Sequence, residues 1–406
     1  MRAAGLVIIF FAAPGVRAFL SSGIAMSVDT SQFVGVSECP RLGLGLAALG
    51  RPGYINLQRN AEIGDKESRS VEAMREQSYK VMDAAWASGI RYFDAARSYG
   101  KAEEFLEGWL RSRKIAPSEV AVGSKWGYRY TADWRIDTAN EPHEVKDHSA
   151  AHFQSQQVET LGLLGDYLNL YQIHSATIES GVLEDAAVLT LLRDFKRNKG
   201  IRLGLSLSGV KQAVTLKKAL EIPLDPSTGE SLLGARLFDC VQATYNCAEQ
   251  SVGPALLEAR KVRRPPCSCV PRRTRVVHVS HTAARTDDNL THEQAGVDVI
   301  VKEAMANGRL LKGAKAARIQ ACADRLGVSP DAVCLAAVMA QQFRPMVLSG
   351  AATPQQVQSN AAALALADKV LSGEDKGARS ELDALLNDTV MTPDAYWAER
   401  AALAWN

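Results

Sequence analysis

The sequence has no excess of charge of either sign, no internal repeat, few cysteines and, beyond its first residues, no long apolar run. Against 47 lysines and arginines stand 45 aspartates and glutamates, a net charge of +2 over 406 residues. That balance gives no general attraction to nucleic acid or acidic lipid, so a small-molecule partner is the default and no nucleic acid is expected. The seven cysteines, at 39, 240, 247, 267, 269, 322 and 334, are odd in number and scattered. They do not resemble a disulfide framework and read as thiols of a reduced compartment. After the N-terminus no stretch holds 18 consecutive apolar residues, so the mature chain is expected to have no membrane span. What is present is apolar content, 47% of the chain, enough for two or three domains or for one large barrel.

The first residues stand apart. Met1-Arg2 precedes the apolar run AAGLVIIFFAAPG, and Val16-Arg17-Ala18 puts small residues where a signal peptidase reads. Residues 1–25 are therefore read as a presequence, too short for a mature anchor. Cleavage after Ala18 would expose Phe19 followed by LSSGIAMS, which resembles the junction of bipartite plastid-targeting presequences. A plastid location is expected on that ground, with secretion, or a cytosolic protein started at Met26, as alternatives.

From residue 41 onward, short strand-like runs alternate with helix-like segments. Eight strand candidates stand at 41–49, 90–95, 120–127, 168–174, 201–208, 238–246, 297–304 and 345–351. Between them lie helices such as SVEAMREQSYKVMDAAWASG, whose Met74, Val81, Met82 and Ala85 recur at helical spacing, with Gly89 placed to end it. Strands bracketed by helices imply parallel pairing with right-handed crossovers. Eight such units predict a (β/α)8 TIM barrel over residues 40–368. One feature argues for an open dinucleotide-binding sheet instead: Gly43-Leu44-Gly45-Leu46-Ala47-Ala48 matches GxGxxA, with Asp65 about 20 residues on. That motif must open a helix, and Arg51-Pro52-Gly53 breaks the chain at once.

Two regions depart from the alternation. Residues 260–296 hold a dense basic cluster with neither helical nor strand period and read as an insertion before the seventh strand, a surface loop or a gene-model artefact. Residues 369–406 lie beyond the eighth unit, and TPDAYWAERAALAW within them reads as a capped amphipathic helix of a C-terminal extension packed over one end of the barrel.

In such a barrel the chemistry sits at the C-terminal ends of the strands. Four polar residues fall there: Asp94 after the second strand with Tyr99 in its loop, Lys125 ending the third, and His174 ending the fourth. FDAARSYGKAEEFL, VGSKWG, LYQIH and GLSLSG, in that order and approximate spacing, resemble the aldo-keto reductase family across residues 40 to 368. The residue types fit carbonyl reduction on their own terms. Hydride addition builds negative charge on the carbonyl oxygen, and a positioned proton donor is worth about 10²–10⁴-fold. Tyr99 would donate, Lys125 would favour its phenolate, Asp94 would anchor Lys125, and His174 would orient the carbonyl. Each has a plainer reading: a helix cap, a half-buried aromatic, a surface charge, a core histidine. Four coincident strand-end placements favour the catalytic one.

The resemblance also implies a nicotinamide cofactor, NADP, with NAD not excluded. Ser206 matches the family's carboxamide contact, although Leu207 stands where many members have asparagine, and Gln242 matches the glutamine of the sixth strand. Lys302 occupies the place of the aromatic ring usually stacked on the nicotinamide. Gly350, Ala351 and Thr353 would bring backbone amides to a helix N-terminus suited to phosphate, with Gln356 and Asn360 reaching the adenosine. Trp126, Tyr128, Tyr130 and Trp134 would line the substrate pocket. No metal is assigned: His148 and His152, with His143 nearby, read as a wet helix start, and Cys267, Cys269, His278 and His281 fit no common zinc spacing. The alternatives to an oxidoreductase are a barrel that binds nucleotide without catalysis and regulates a partner, and an insertion that binds an acidic partner. Substrate, direction and oligomeric state stay open.

Overall fold

The computed structural model describes residue 33 and residues 39–55, 59–226, 236–261 and 296–405. Eight parallel strands close into a barrel: β1 (Leu42–Gly45), β2 (Tyr92–Asp94), β3 (Ala121–Trp126), β4 (Leu168–Ala176), β5 (Arg202–Leu207), β6 (Cys240–Thr244), β7 (Asp298–Lys302) and β8 (Met346–Ser349). Each pairs with its neighbour in sequence, and Leu42 of β1 meets Val347 of β8 to shut the ring. All eight strand candidates are strands of this barrel, and the (β/α)8 reading holds. The Gly43–Ala48 motif ends β1 and passes into a tight turn in which Gly50 N bonds to Leu46 O (2.9 Å), not into a phosphate-binding helix.

The helices form where the sequence places an apolar stripe between a cap and a stop. Val71–Ala87 starts at Ser70, whose hydroxyl accepts from Ala73 N, and its buried residues are Met74, Ser78, Val81, Met82 and Ala85. Gly89 follows at φ +84°, a conformation glycine adopts without strain. Gly313–Leu326 is an outer helix that the strand count did not anticipate; it precedes Pro330–Met339, which is buried on every face. Beyond β8 come helices Pro354–Leu371, Lys376–Thr389 and Pro393–Ala401. The last, with Thr392 as its cap, lies across the mouth of the barrel and contributes Arg400 to the cavity there.

Register fixes which side chains meet inside. Asp94 pairs with Gly123, Lys125 with Gln172, Ser206 with Gln242, and Thr244 with Lys302. A short antiparallel pair, Tyr128–Tyr130 with Glu144–Lys146, projects from the end of β3. Cys39, Cys240, Cys247, Cys322 and Cys334 are buried thiols. Among the described residues no helix is long and apolar enough to cross a membrane. The presequence, residues 262–295 of the insertion and the cysteines and histidines within it lie outside the described residues.

Candidate active site

Asp94 is the last residue of β2, so the strand's own pleat aims its carboxylate into the barrel. Lys125 of β3 meets it there: the ammonium is in direct contact with Asp94, donates to Ala95 O (2.9 Å), and reaches Tyr99 Oη at 3.4 Å. Lys125 is fully buried and Asp94 nearly so. Tyr99 is brought over this pair by the turn after β2, where Lys101 N bonds to Gly50 O (2.7 Å). His174, near the end of β4, stands edge-on to Tyr99 with ring centroids 5.4 Å apart, and its Nδ1 lies 3.4 Å from Ser98 Oγ. The four residues expected to act together are therefore neighbours.

Asp94 has further partners that the sequence reading missed. Tyr92 Oη donates to its Oδ1 at 3.0 Å, Gln242 Nε2 at 3.0 Å and Gln172 Nε2 at 3.4 Å. Tyr92 fits inside the barrel because glycines flank it. A Cβ on Gly43 would lie 2.7 Å from its ring, and one on Gly123 would collide with its hydroxyl.

One cavity of about 670 Å³ opens over these residues. Its wall runs from Asp94, Tyr99, Tyr128 and His174, past Gln242, Lys302 and Glu303, to Gly350, Ala351, Gln356 and Asn360. At the first end Arg51, unforeseen in the sequence, lies over the rings of Tyr99 (5.1 Å), Tyr54 (5.0 Å) and Trp405 (4.7 Å). It also donates to Ser98 O (2.9 Å) and Glu144 (2.8 Å). Trp405 in turn stacks on His143 at 4.2 Å.

Five expected contacts need correction. Ser206 is fully buried, and its hydroxyl accepts from Ser175 N (2.8 Å); around the ends of β4 and β5 it is Ser175 and Ser208 that line the cavity. Thr353 caps its own helix by accepting from Gln356 N and does not line the cavity. Trp126 is packed behind β3 between His148 and Phe153, with no exposure to the pocket. Tyr130 and Trp134 line a separate outer groove, Trp134 donating to Arg69 O. Gln356 and Asn360 do reach the wall, held there by Glu62 (3.0 Å) and Asp331 (2.6 Å). His148 turns inward, its Nε2 on His174 O (2.8 Å).

The sequence profile of the aldo/keto reductase family matches residues 42–263, more than half of the chain. The chain belongs to that family. It is 27% identical over 196 residues to aldo-keto reductase str7 of Strobilurus tenacellus, a match spanning 47% of this chain and only half of that relative's length. Two solved structures share the fold. PA4992 of Pseudomonas aeruginosa, described as an aldo-keto reductase, superposes with a TM-score of 0.51 at 21% identity, covering 83% of this chain and 94% of its own. An aldo-keto reductase of Klebsiella pneumoniae, solved in complex with NADPH, gives 0.53 at 19% identity, covering 89% and 96%.

In this member of the family, burial governs the charge states around the cavity. It holds the Tyr99 phenol well above the usual range, Asp94 adding to the effect and Arg51 opposing it. It pushes His174 well below the usual imidazole value, helped by the positive charge of Lys125, so the ring is neutral. Lys302 is lowered by burial to about 8. Burial raises Glu303, but Lys302 and Arg400 outweigh it and bring the carboxyl down to about 2.

Proposed function

We propose that this protein is an NAD(P)H-dependent oxidoreductase that interconverts a small carbonyl compound, an aldehyde, ketone or sugar, and its alcohol, with Tyr99 as proton donor. One observation carries the reading: the Asp94–Lys125–Tyr99 chain and His174 open into a single cavity that continues to the Gly350–Asn360 wall. Its size lies within the roughly 300–1,000 Å³ usual for ligand sites.

The far arm fits a dinucleotide. Nothing lies within 4 Å of where a Cβ of Gly350 would stand, so the backbone borders open space, and an 18-residue helix begins four residues on at Pro354. Such a start favours phosphate. Gln356 and Asn360 would meet the adenosine, and the dinucleotide, when bound, supplies the hydride. NADP(H) is our assignment, in line with the family and with the NADPH of the Klebsiella protein, and NAD(H) is its competitor. Glu62 and Asp331 bring carboxylates to that arm, so a direct comparison of NADPH with NADH reads it best.

At the near end the chain's own groups manage one proton. A carbonyl oxygen between Tyr99 Oη and His174 gains charge as its carbon is reduced, and the phenol gives it the proton. The Lys125 ammonium, 3.4 Å from Oη, then faces the phenolate, and such contacts commonly tighten once substrate is bound. Neutral His174 donates from Nε2 when Nδ1 accepts from Ser98. Tyr128, 4.9 Å from the His174 ring centroid, and Arg51 border the space left for the substrate.

The test is Tyr99→Phe assayed with NADPH and NADH over a panel of aldehydes, ketones and sugars. Turnover should fall by about 10²–10⁴-fold while the dissociation constant for the dinucleotide stays within a few-fold. Near-normal turnover would remove Tyr99 as donor. A parent protein that binds dinucleotide yet reduces nothing in the panel would favour the regulatory barrel.

A further inference from the structure

Lys302 has no task in the reaction just proposed. It ends β7 beside Thr244 of β6, donates to Thr244 Oγ1 (2.8 Å), and lies 3.7 Å from the carboxylate of Glu303. Glu303 is engaged more closely elsewhere, by Arg400 Nε (2.9 Å) and Nη2 (2.8 Å) and by the Tyr396 hydroxyl (3.2 Å). Two cations thus share one carboxylate. The other charged pairs of this mouth, Lys125 with Asp94 and Arg51 with Glu144, each balance. The wall at the end of β7 therefore carries one positive charge in excess, and Lys302, Glu303 and Arg400 all line the cavity.

Topology says what passes this charge. β7 lies between β8, whose end leads to Gly350 and Asn360, and β6, whose Gln242 touches Asp94. A dinucleotide laid from the β8 arm toward Tyr99 and His174 brings its nicotinamide end past Lys302. The oxidised ring is a cation and the reduced ring is neutral, whereas the phosphates are common to both forms and cancel from the comparison.

We propose that Lys302 selects the redox form of the dinucleotide, holding the reduced form and disfavouring the oxidised one. The proposal rests on the reading that this cavity binds a nicotinamide dinucleotide. A like charge at close range in a buried site disfavours a cation by about tenfold or more. The oxidised form would then leave readily and inhibit weakly in the reducing direction.

The experiment is a calorimetric titration of NADPH and NADP⁺ into the full chain, its Lys302→Met variant and its Lys302→Arg variant. At neutral pH the parent should bind the reduced form about tenfold or more tightly than the oxidised one. Lys302→Met should erase most of that ratio, chiefly by tightening NADP⁺, and Lys302→Arg should keep it. A second measurement needs no substitution. The parent's ratio should fall as pH rises through about 8, where Lys302 loses its charge. Of the groups facing it, Glu303 stays ionised, Arg400 stays cationic, and Tyr396 and His174 stay neutral; Lys125 is tied to Asp94. A ratio unmoved by Lys302→Met, or flat across that pH range, would overturn the role of Lys302 alone. A parent that binds neither form would overturn the dinucleotide reading with it.

Discussion

Replacing Tyr92 by phenylalanine removes one oxygen atom from the middle of the barrel. The phenol is fully buried and donates to Asp94 Oδ1 at 3.0 Å. Burial and the neighbouring carboxylate hold it well above the usual tyrosine range, so at neutral pH it is a protonated donor. A hydrogen bond to a charged group is worth about 1.5–3 kcal/mol. Asp94 keeps Lys125, Gln242 and Gln172, so the carboxylate is not orphaned, and the vacated space is smaller than a methyl group. The expected loss of unfolding free energy is therefore about 1.5–3 kcal/mol, read as a lower denaturant midpoint at unchanged slope. The same bond restrains the carboxylate that seats Lys125 beside Tyr99, so turnover should drop by about tenfold, equivalent to about 1.4 kcal/mol, with dinucleotide affinity unaltered. A variant within about 0.5 kcal/mol of the parent, the range of neutral surface changes, would refute the claim that Tyr92 holds Asp94. A destabilised variant with full turnover would show that the bond serves the fold and not the site.

Lys125→Met should cost more on both counts: it strands a buried carboxylate, which typically destabilises by about 3–5 kcal/mol, and it should cut turnover at least as far as Tyr92→Phe, as thermal melts and steady-state rates will show. Gly50→Ala would drive a Cβ into the Tyr99 carbonyl and to 2.6 Å from Ala102 N; the Tyr99 loop must shift, so the rate of carbonyl reduction should fall tenfold or more while the dinucleotide dissociation constant stays within a few-fold, since a small misplacement of a reacting group is costly. Deleting residues 262–292 should leave a cooperative melt, because β7 resumes in register after the helix that ends at Lys261 and loop length carries a modest entropic cost; a collapsed melt would place that segment in the core.

The barrel was legible because each strand and helix announces itself locally. Caps such as Ser70 and stops such as Gly89 bracket an apolar stripe, and the strand runs between the helices are short and mostly apolar. Gly313–Leu326 escaped notice because its sequence, GAKAARIQACADRL, is alanine-rich, and Ile319, Cys322 and Ala323 make a thin stripe. Arg51 was illegible for a different reason. Read locally, Arg51-Pro52-Gly53 only breaks a helix. Its partners are rings at 54, 99 and 405 and a carboxylate at 144, and no pattern within a window links positions so far apart. The antiparallel pair that delivers Glu144 was likewise missed, its aromatics read only as lining a pocket.

The site itself held more signal than composition and spacing extract, because a strand alternates its faces. Once Lys125 is assigned to the barrel interior, Trp126 must point outward, and it does, into Phe153 of the helix outside β3. The same rule applied to Asp94 sends Phe93 outward, where it packs on Trp109 with centroids 5.0 Å apart, and Tyr92 inward beside Asp94. Two glycines, Gly43 and Gly123, then acquire a reason, since any larger residue would strike the Tyr92 ring or its hydroxyl. Ser206 marks where the rule stops. Alternation gives a side chain's face but not its reach, and the short Ser206 hydroxyl, level with Gln242, is claimed by Ser175 N. Ser208, two residues on and past the end of β5, reaches the cavity instead. Gln242, the register partner of Ser206 on the neighbouring strand, does reach the cavity with its longer side chain, so which of two paired inward residues meets the open space depends on side-chain length, which alternation does not encode.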